Sequence, residues 1–175
     1  MASYTIDPTH SSVGFSVRHM MFAKVRGQFA KWSTDLALDP TDLAKSKVTA
    51  TIDASSIDTG VADRDAHLRS ADFFDVANHP SLTFVSTGVA KKGDGYALAG
   101  DLTIRGVTKP VTLELEALGS GKDPWGNERR LFSAKTTIQR SDFGLTWNQA
   151  LEAGGVLVSD KIEIELEVQA VGKPS

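Results

Sequence analysis

Apolar and polar residues alternate with a period of two along most of this chain. The run is strictest from Ile162 to Ala170, which reads Ile, Glu, Ile, Glu, Leu, Glu, Val, Gln, Ala. Such spacing puts every apolar side chain on one face of a β-strand and every polar one on the other. Val13, Phe15 and Val17 start the same pattern, and Val25, Gly27 and Phe29 continue it. Trp32, Leu36 and Leu38 follow, up to a turn at Asp39-Pro40. Val48, Ala50 and Ile52 mark another strand, and Leu82 and Phe84 one more. Gly93-Asp94-Gly95 is a hairpin signal, after which Tyr96, Leu98, Gly100, Leu102 and Ile104 share a face. Arg105 to Pro110 makes the next reversal. Val111, Leu113 and Leu115 then alternate with threonine and glutamate, and Phe132, Ala134, Thr136 and Ile138 lead to the last strand. Gly119 to Arg130 reads as a polar loop.

One stretch breaks the alternation. Asp63 to Ala71 contains good helix formers, so a short helix is expected at about residues 62 to 70, with a further turn at Ser70 to Asp75. Asp63 is its expected N-cap, and Asp65 and Arg69 stand at ion-pair spacing. The sum is an all-β chain of about eight antiparallel strands with one short helix. A sheet wet on one face and oily on the other must be closed or covered. An up-and-down barrel removes the unpaired edges and is preferred to a two-sheet sandwich. No repeat or linker interrupts the pattern, so residues 1–175 are read as one domain.

Composition narrows the function classes. The 175 residues are 41% hydrophobic and 23% charged, the proportions of a folded domain rather than a disordered one. A formal net charge of -3 without a basic stripe argues against nucleic acid as a partner. Cys 0 removes disulfides, thiolate metal sites and cysteine nucleophiles. No stretch is long and apolar enough to span a bilayer as a helix, so stable membrane insertion is not expected. The opening residues Met-Ala-Ser-Tyr-Thr-Ile-Asp carry no basic n-region or apolar h-region, and a cytoplasmic location is the expectation.

Several blocks resemble the YceI-like family. They begin with Tyr4-Thr5-Ile6-Asp7, His10-Ser11, Val13, Phe15, Val17 and His19, followed by Gly27-Gln28-Phe29. The most specific block runs from Arg64 to Asp75, with His79-Pro80 and Thr83-Phe84 after it. Leu102 to Thr108 and Arg140-Ser141-Asp142-Phe143-Gly144 complete the resemblance. It implies a lipocalin-like barrel that encloses a long apolar lipid, typically a polyisoprenoid or isoprenoid quinone. Many members of that family carry a secretion signal; its absence here favours a cytoplasmic form.

A polyisoprenyl chain offers only hydrocarbon, so its site needs apolar walls and few unpaired polar atoms. Phe15, Val17, Phe29, Trp32, Phe84, Leu102, Phe132, Ile138, Phe143 and Trp147 are the candidate lining residues. An eight-stranded barrel can also fill itself with such side chains, and a closed-core, stress-related structural protein is one alternative. Another is an enzyme acting on an enclosed lipid-like substrate with His10 or His67 as acid or base. His10, His19, His67 and His79 are spaced too widely for a compact metal motif, so no metal site is expected. Arg64, Asp65, His67 and Asp72 read either as head-group contacts or as helix capping and surface pairing, the second being preferred. Arg140 and Asp142 are open to the same two readings, one of them an ion pair beside Phe143 that pins a strand end. No nucleophile elbow and no glycine-rich phosphate loop is present. The expectation is a non-enzymatic carrier without a cofactor, monomeric or homodimeric, whose partner is an apolar isoprenoid-type lipid.

Overall fold

The computed structural model describes residues 2–19, 23–148 and 158–172. It contains β1 (Ala2–Ile6), β2 (Ser12–His19), β3 (Ala23–Phe29), β4 (Trp32–Leu38), β5 (Lys47–Asp53) and β6 (Ile57–Asp58). One helix follows, α1 (Ala62–Arg69), and then β7 (Ser81–Lys92), β8 (Gly95–Ile104), β9 (Val107–Lys122), β10 (Glu128–Gln139) and β11 (Val158–Gly172). All pairings are antiparallel, and the single sheet closes on itself through β1 and β11.

The eleven strands make an eight-stave barrel because three staves are interrupted. β1 and β2 both pair with β11, at Ile6↔Ala170 and Ser12↔Glu167, so they are one stave broken by the 3-10 turn Pro8–His10. Pro8 presets that turn, and the Asp7 carboxylate caps it by accepting from Thr9 N. β3 and β4 form the second stave, broken at Ala30-Lys31, and β5 and β6 the third, broken by a turn at Ala54–Ser56. The Ala30 and Lys31 amides both bond to Ser56, which locks the last two breaks together. The result is a closed up-and-down barrel, as the alternation predicts.

Other local expectations are corrected. α1 spans Ala62–Arg69, but its N-cap is Val61, not Asp63, and makes no side-chain cap bond. Asp65 does not pair with Arg69: it turns inward to accept from Thr59 N and Oγ1. Arg69 donates instead to the carbonyls of Ser55 and Ile57, tying the helix to the third stave. The predicted polar loop from Gly119 to Arg130 is mostly strand. β9 continues to Lys122 and β10 starts at Glu128, leaving a five-residue tip at 123–127. These residues are polar because the hairpin projects beyond its neighbour β8, whose last pair with β9 is Tyr96↔Leu115. The two-residue turn Arg105-Gly106 has positive φ at both positions, 51° and 76°, as a tight hairpin requires.

Candidate functional site

Every second side chain of each stave points into the barrel, and together they enclose a cavity of about 310 Å³. Its wall is almost wholly hydrocarbon. Val13, Phe15 and Val17 face Ile162, Ile164 and Leu166; Leu82 and Phe84 stand beside Leu98, Leu102 and Ile104; Val111, Leu113 and Leu115 adjoin Phe132, Ala134 and Ile138. Polar and charged residues touch it more sparsely: Ser11, Ser12, Thr34, Ser46, Lys47, Thr136, Arg140 and Glu167.

The lumen is hollow for a local reason. Phe15 pairs across the sheet with Gly27, and a β-carbon on Gly27 would come 2.9 Å from Phe15 Cε1. The ring therefore lies along the wall over the glycine instead of projecting across the barrel. Phe84 does the same over Gly100, where a β-carbon would meet its Cε2 at 2.6 Å. Phe15, Phe84, Phe132, Ile162 and Ile164 remain only half-buried although they point inward. The surface they leave uncovered is the wall of the cavity. A packed-shut core is excluded by that geometry.

One end of the barrel is plugged. α1 and the turn Arg140–Phe143 bring Phe143, Leu145 and Ile57 into a buried cluster with Phe29, Leu102, Ile104 and Ile138, and Leu68 and Phe74 pack against it. Phe29 contacts Phe15 and Phe74, with ring centroids 5.7 and 5.9 Å apart. Outside this layer His67 stacks edge-on against Phe73 and Trp147, at 5.1 and 4.6 Å. Arg140 seals the corner. It is 4% exposed and donates to four carbonyls: Nε to Ser159, Nη1 to Leu145 and Trp147, and Nη2 to Val158. Burial pulls its guanidinium pKa downward. Four charge-assisted bonds offset that desolvation.

The opposite end is formed by hairpins and is only partly covered. Tyr4, Leu38 and Ala170 are buried there with Leu36, Leu43 and Phe132 around them. The Tyr4 hydroxyl donates to Glu128 Oε2 at 2.8 Å, and burial is the main reason its pKa is raised. Across from this cluster the lumen-facing Val48, Val89, Leu98 and Leu115 are half-buried, and on that side only the short 3-10 turn Leu43–Lys45 packs against β7 among the described residues. The cavity is thus closed at the helix end and less fully covered at the hairpin end.

Phe15, Val17, Phe29, Trp32, Phe84, Leu102, Phe132 and Ile138 all line the cavity, as their positions in the alternation predict. Phe143 and Trp147 do not, which corrects the expected set. Phe143 is 1% exposed inside the plug, because it lies in a 3-10 turn rather than on a stave. Trp147 packs outside the plug on His67 and Phe73. Sequence reasoning passed over Val13, Val111, Leu113, Ile162, Ile164 and Leu166, which carry the same alternation without an aromatic ring to draw notice.

Arg140 borders the lumen, and the other described polar candidates stand apart from it. His10 is exposed on the outer wall, with Nδ1 2.8 Å from Asp7 Oδ2. His67 Nε2 lies 2.8 Å from Asp72 Oδ2 on the outside of the plug. Neither touches the cavity, so neither is placed to act on an enclosed substrate. His79 sits against the Gly106 turn, while the His19 side chain lies outside the described residues. Arg64 donates to Thr59, a bond that ties α1 to the segment before it rather than contacting a ligand. The expected Arg140–Asp142 ion pair is replaced by the carbonyl clamp, and Asp142 is exposed. No cluster of three metal-ligating side chains exists among the described residues.

Comparison with known proteins agrees with this architecture. The YceI-like domain model matches residues 4–170. A Vibrio cholerae relative named UPF0312 protein is 38% identical over 175 residues, covering 98% of this chain and 88% of its own. The crystal structure of Campylobacter jejuni YCEI protein superimposes with a TM-score of 0.77 at 34% identity, covering 99% of this chain and all (100%) of that one. A polyisoprenoid binding domain from Saccharophagus degradans shares the fold at a TM-score of 0.66 and 16% identity, with 99% and 100% covered.

Proposed function

The chain belongs to the YceI-like family, and on that footing we propose that it sequesters or carries a long apolar lipid in its lumen, a polyisoprenoid or isoprenoid quinone. The observation that carries this reading is a blind, hydrocarbon-lined cavity held open by aromatic rings laid over glycines. The polyisoprenoid-binding description of the structural neighbour from Saccharophagus degradans supports the ligand class.

Mechanism here is partition. Each CH₂ removed from water contributes about 0.8 kcal/mol, so a long prenyl chain is strongly held against release into solvent. Against a bilayer the balance is nearly even, because lipid tails are as apolar as the leucine and phenylalanine of the wall. Such a barrel therefore exchanges its guest with membranes without needing an energy source, while shielding it from water in between. The guest enters tail first, since the helix end is closed by Phe143 and by Arg140, most of whose guanidinium donors are already bonded to backbone carbonyls. No bond is made or broken in this reading, and no cofactor is required.

Native mass spectrometry after mild purification tests it. A bound apolar adduct, or saturable uptake of a fluorescent polyene that displaces it, is the expected result. A protein that carries no adduct and takes up no polyene refutes the proposal.

A further inference from the structure

We infer that the tip of the β9–β10 hairpin, led by Trp125, docks the open end of the barrel onto a lipid bilayer. The inference rests on the lipid-carrier reading and adds the surface from which the guest is drawn. Trp125 is 78% exposed, the highest value among the exposed large apolar side chains of the described residues, and sits at the end of a hairpin that outruns its neighbour β8. Leu118 and Leu131 are 58% and 38% exposed at the bulge of the same hairpin. A soluble domain gains nothing from presenting a bare indole to water, whereas indole is favoured at a membrane–water interface.

The tip is built to hold that residue out. Asp123 accepts from Trp125 N, Asn127 N and Asn127 Nδ2, and pairs with Arg129 Nε at 3.0 Å. Gly126, at φ +84°, closes the turn. The loop is thus bonded through its own carboxylate, so the exposure of Trp125 belongs to an ordered turn.

The size of the apolar patch favours a bilayer over a protein. The acids of the tip are engaged: Asp123 by Arg129, and Glu128 by Arg130 and Tyr4. Lys122 beside them, and Lys91 and Lys92 on the adjoining hairpin, are exposed next to the exposed Asp94 and Glu116, so the rim is mixed in charge and the bare indole is what points to a bilayer. One indole and two leucines are far short of the roughly 800 Å² per partner that a stable protein interface needs. They suit a shallow insertion. The same end of the barrel gives access to the lumen at Val89, Leu98 and Leu115, so docking there sets the cavity against the acyl layer.

Co-sedimentation with phosphatidylglycerol–phosphatidylcholine vesicles tests the inference, comparing the wild-type chain with Trp125→Ser. The variant should keep the wild-type melting temperature, bind vesicles at least fivefold more weakly, and slow the transfer of a polyene from vesicles by a similar factor. Its uptake of the same polyene from cyclodextrin should be unchanged. Equal vesicle binding by both chains, or no binding by the wild type, overturns the inference. So does a wild-type dimer in light scattering that Trp125→Ser dissociates, because the tip would then serve a second copy. Vesicle binding that depends on Trp125, in a protein that takes up no polyene from either source, would leave docking standing and refute the lumen reading instead.

Discussion

The outer edge of the Phe15 ring lies over Gly27 on the neighbouring strand, and the missing side chain at 27 is what keeps the ring against the wall. Gly27→Ala therefore has a directional consequence. The added methyl would stand 2.9 Å from Phe15 Cε1 and nearer still to Cζ, so the ring must tilt into the cavity. Overpacking ordinarily costs about 1–3 kcal/mol, and the empty lumen gives the ring somewhere to go, which favours the lower end. Urea melts should record a loss of about 1 kcal/mol. Ligand titration should reveal weaker binding that worsens with chain length. Unchanged capacity for long chains would mean that the ring swings along the wall instead.

A charge in the wall should abolish binding altogether. Phe84 and Phe132 line the cavity from well-separated staves. Arginine at either site would place an unpaired guanidinium against hydrocarbon, a loss of several kcal/mol for any apolar guest. Phe84→Arg and Phe132→Arg should each lower polyene affinity by more than a hundredfold, about 2.7 kcal/mol. Melting curves separate this from unfolding. A folded variant that binds normally would show that the guest does not occupy this cavity.

The wall was legible in the chain because alternation is a local property: from Ile162 to Ala170 each residue declares its face without reference to any other strand. The plug was not. Phe143 and Trp147 are aromatic like the wall residues, and only the turn at Arg140–Phe143 removes them from the stave. The glycine seats under Phe15 and Phe84 are cross-strand relationships, invisible until register is known. The same holds for Arg140. Its partners are backbone carbonyls of residues 145, 147, 158 and 159, and the nearby Asp142 suggested an ion pair that the fold does not make. The accessible hairpin end was equally hidden, because Gly119 to Lys122 look like loop residues when they are an exposed strand.

Arg140 should be the costliest single charge to remove. Arg140→Ala would strand the carbonyls of Leu145, Trp147, Val158 and Ser159 at a buried corner. Hydrogen bonds to charged groups contribute about 1.5–3 kcal/mol each, and unsatisfied buried acceptors add to the loss, though such contributions are not additive. A destabilisation of about 3–5 kcal/mol is expected, with amide exchange rising first around residues 140–148. Arg140→Lys should recover only part of the loss, since an ammonium cannot span four carbonyls in the guanidinium plane. A fully stable Arg140→Ala would show that the plug does not depend on the clamp.

Acid should loosen the barrel at the break in its first stave. Asp7 caps the Pro8–His10 turn and accepts from Arg129 Nη1 at 2.9 Å, joining the break to the base of the long hairpin. The Arg129 guanidinium, helped by His10, holds the Asp7 carboxyl far below the ordinary aspartate range. A folded-state pKa below the unfolded one makes the unfolded chain bind more protons in the interval between them, so stability rises with pH there. The contribution of Asp7 is complete above about pH 5, diminishes as the pH falls through the ordinary aspartate value of ~3.9, and is gone below its depressed folded value. Asp7→Asn cannot lose what it lacks. Thermal melts between pH 7 and pH 2.5 should therefore show the variant less stable than wild type at neutral pH. The gap should narrow steadily under acid, because wild type alone gives up this interaction. Parallel curves for the two proteins would mean that the Asp7–Arg129 pair adds nothing to stability, and that the first stave is held by its ladders to β11, β3 and β4.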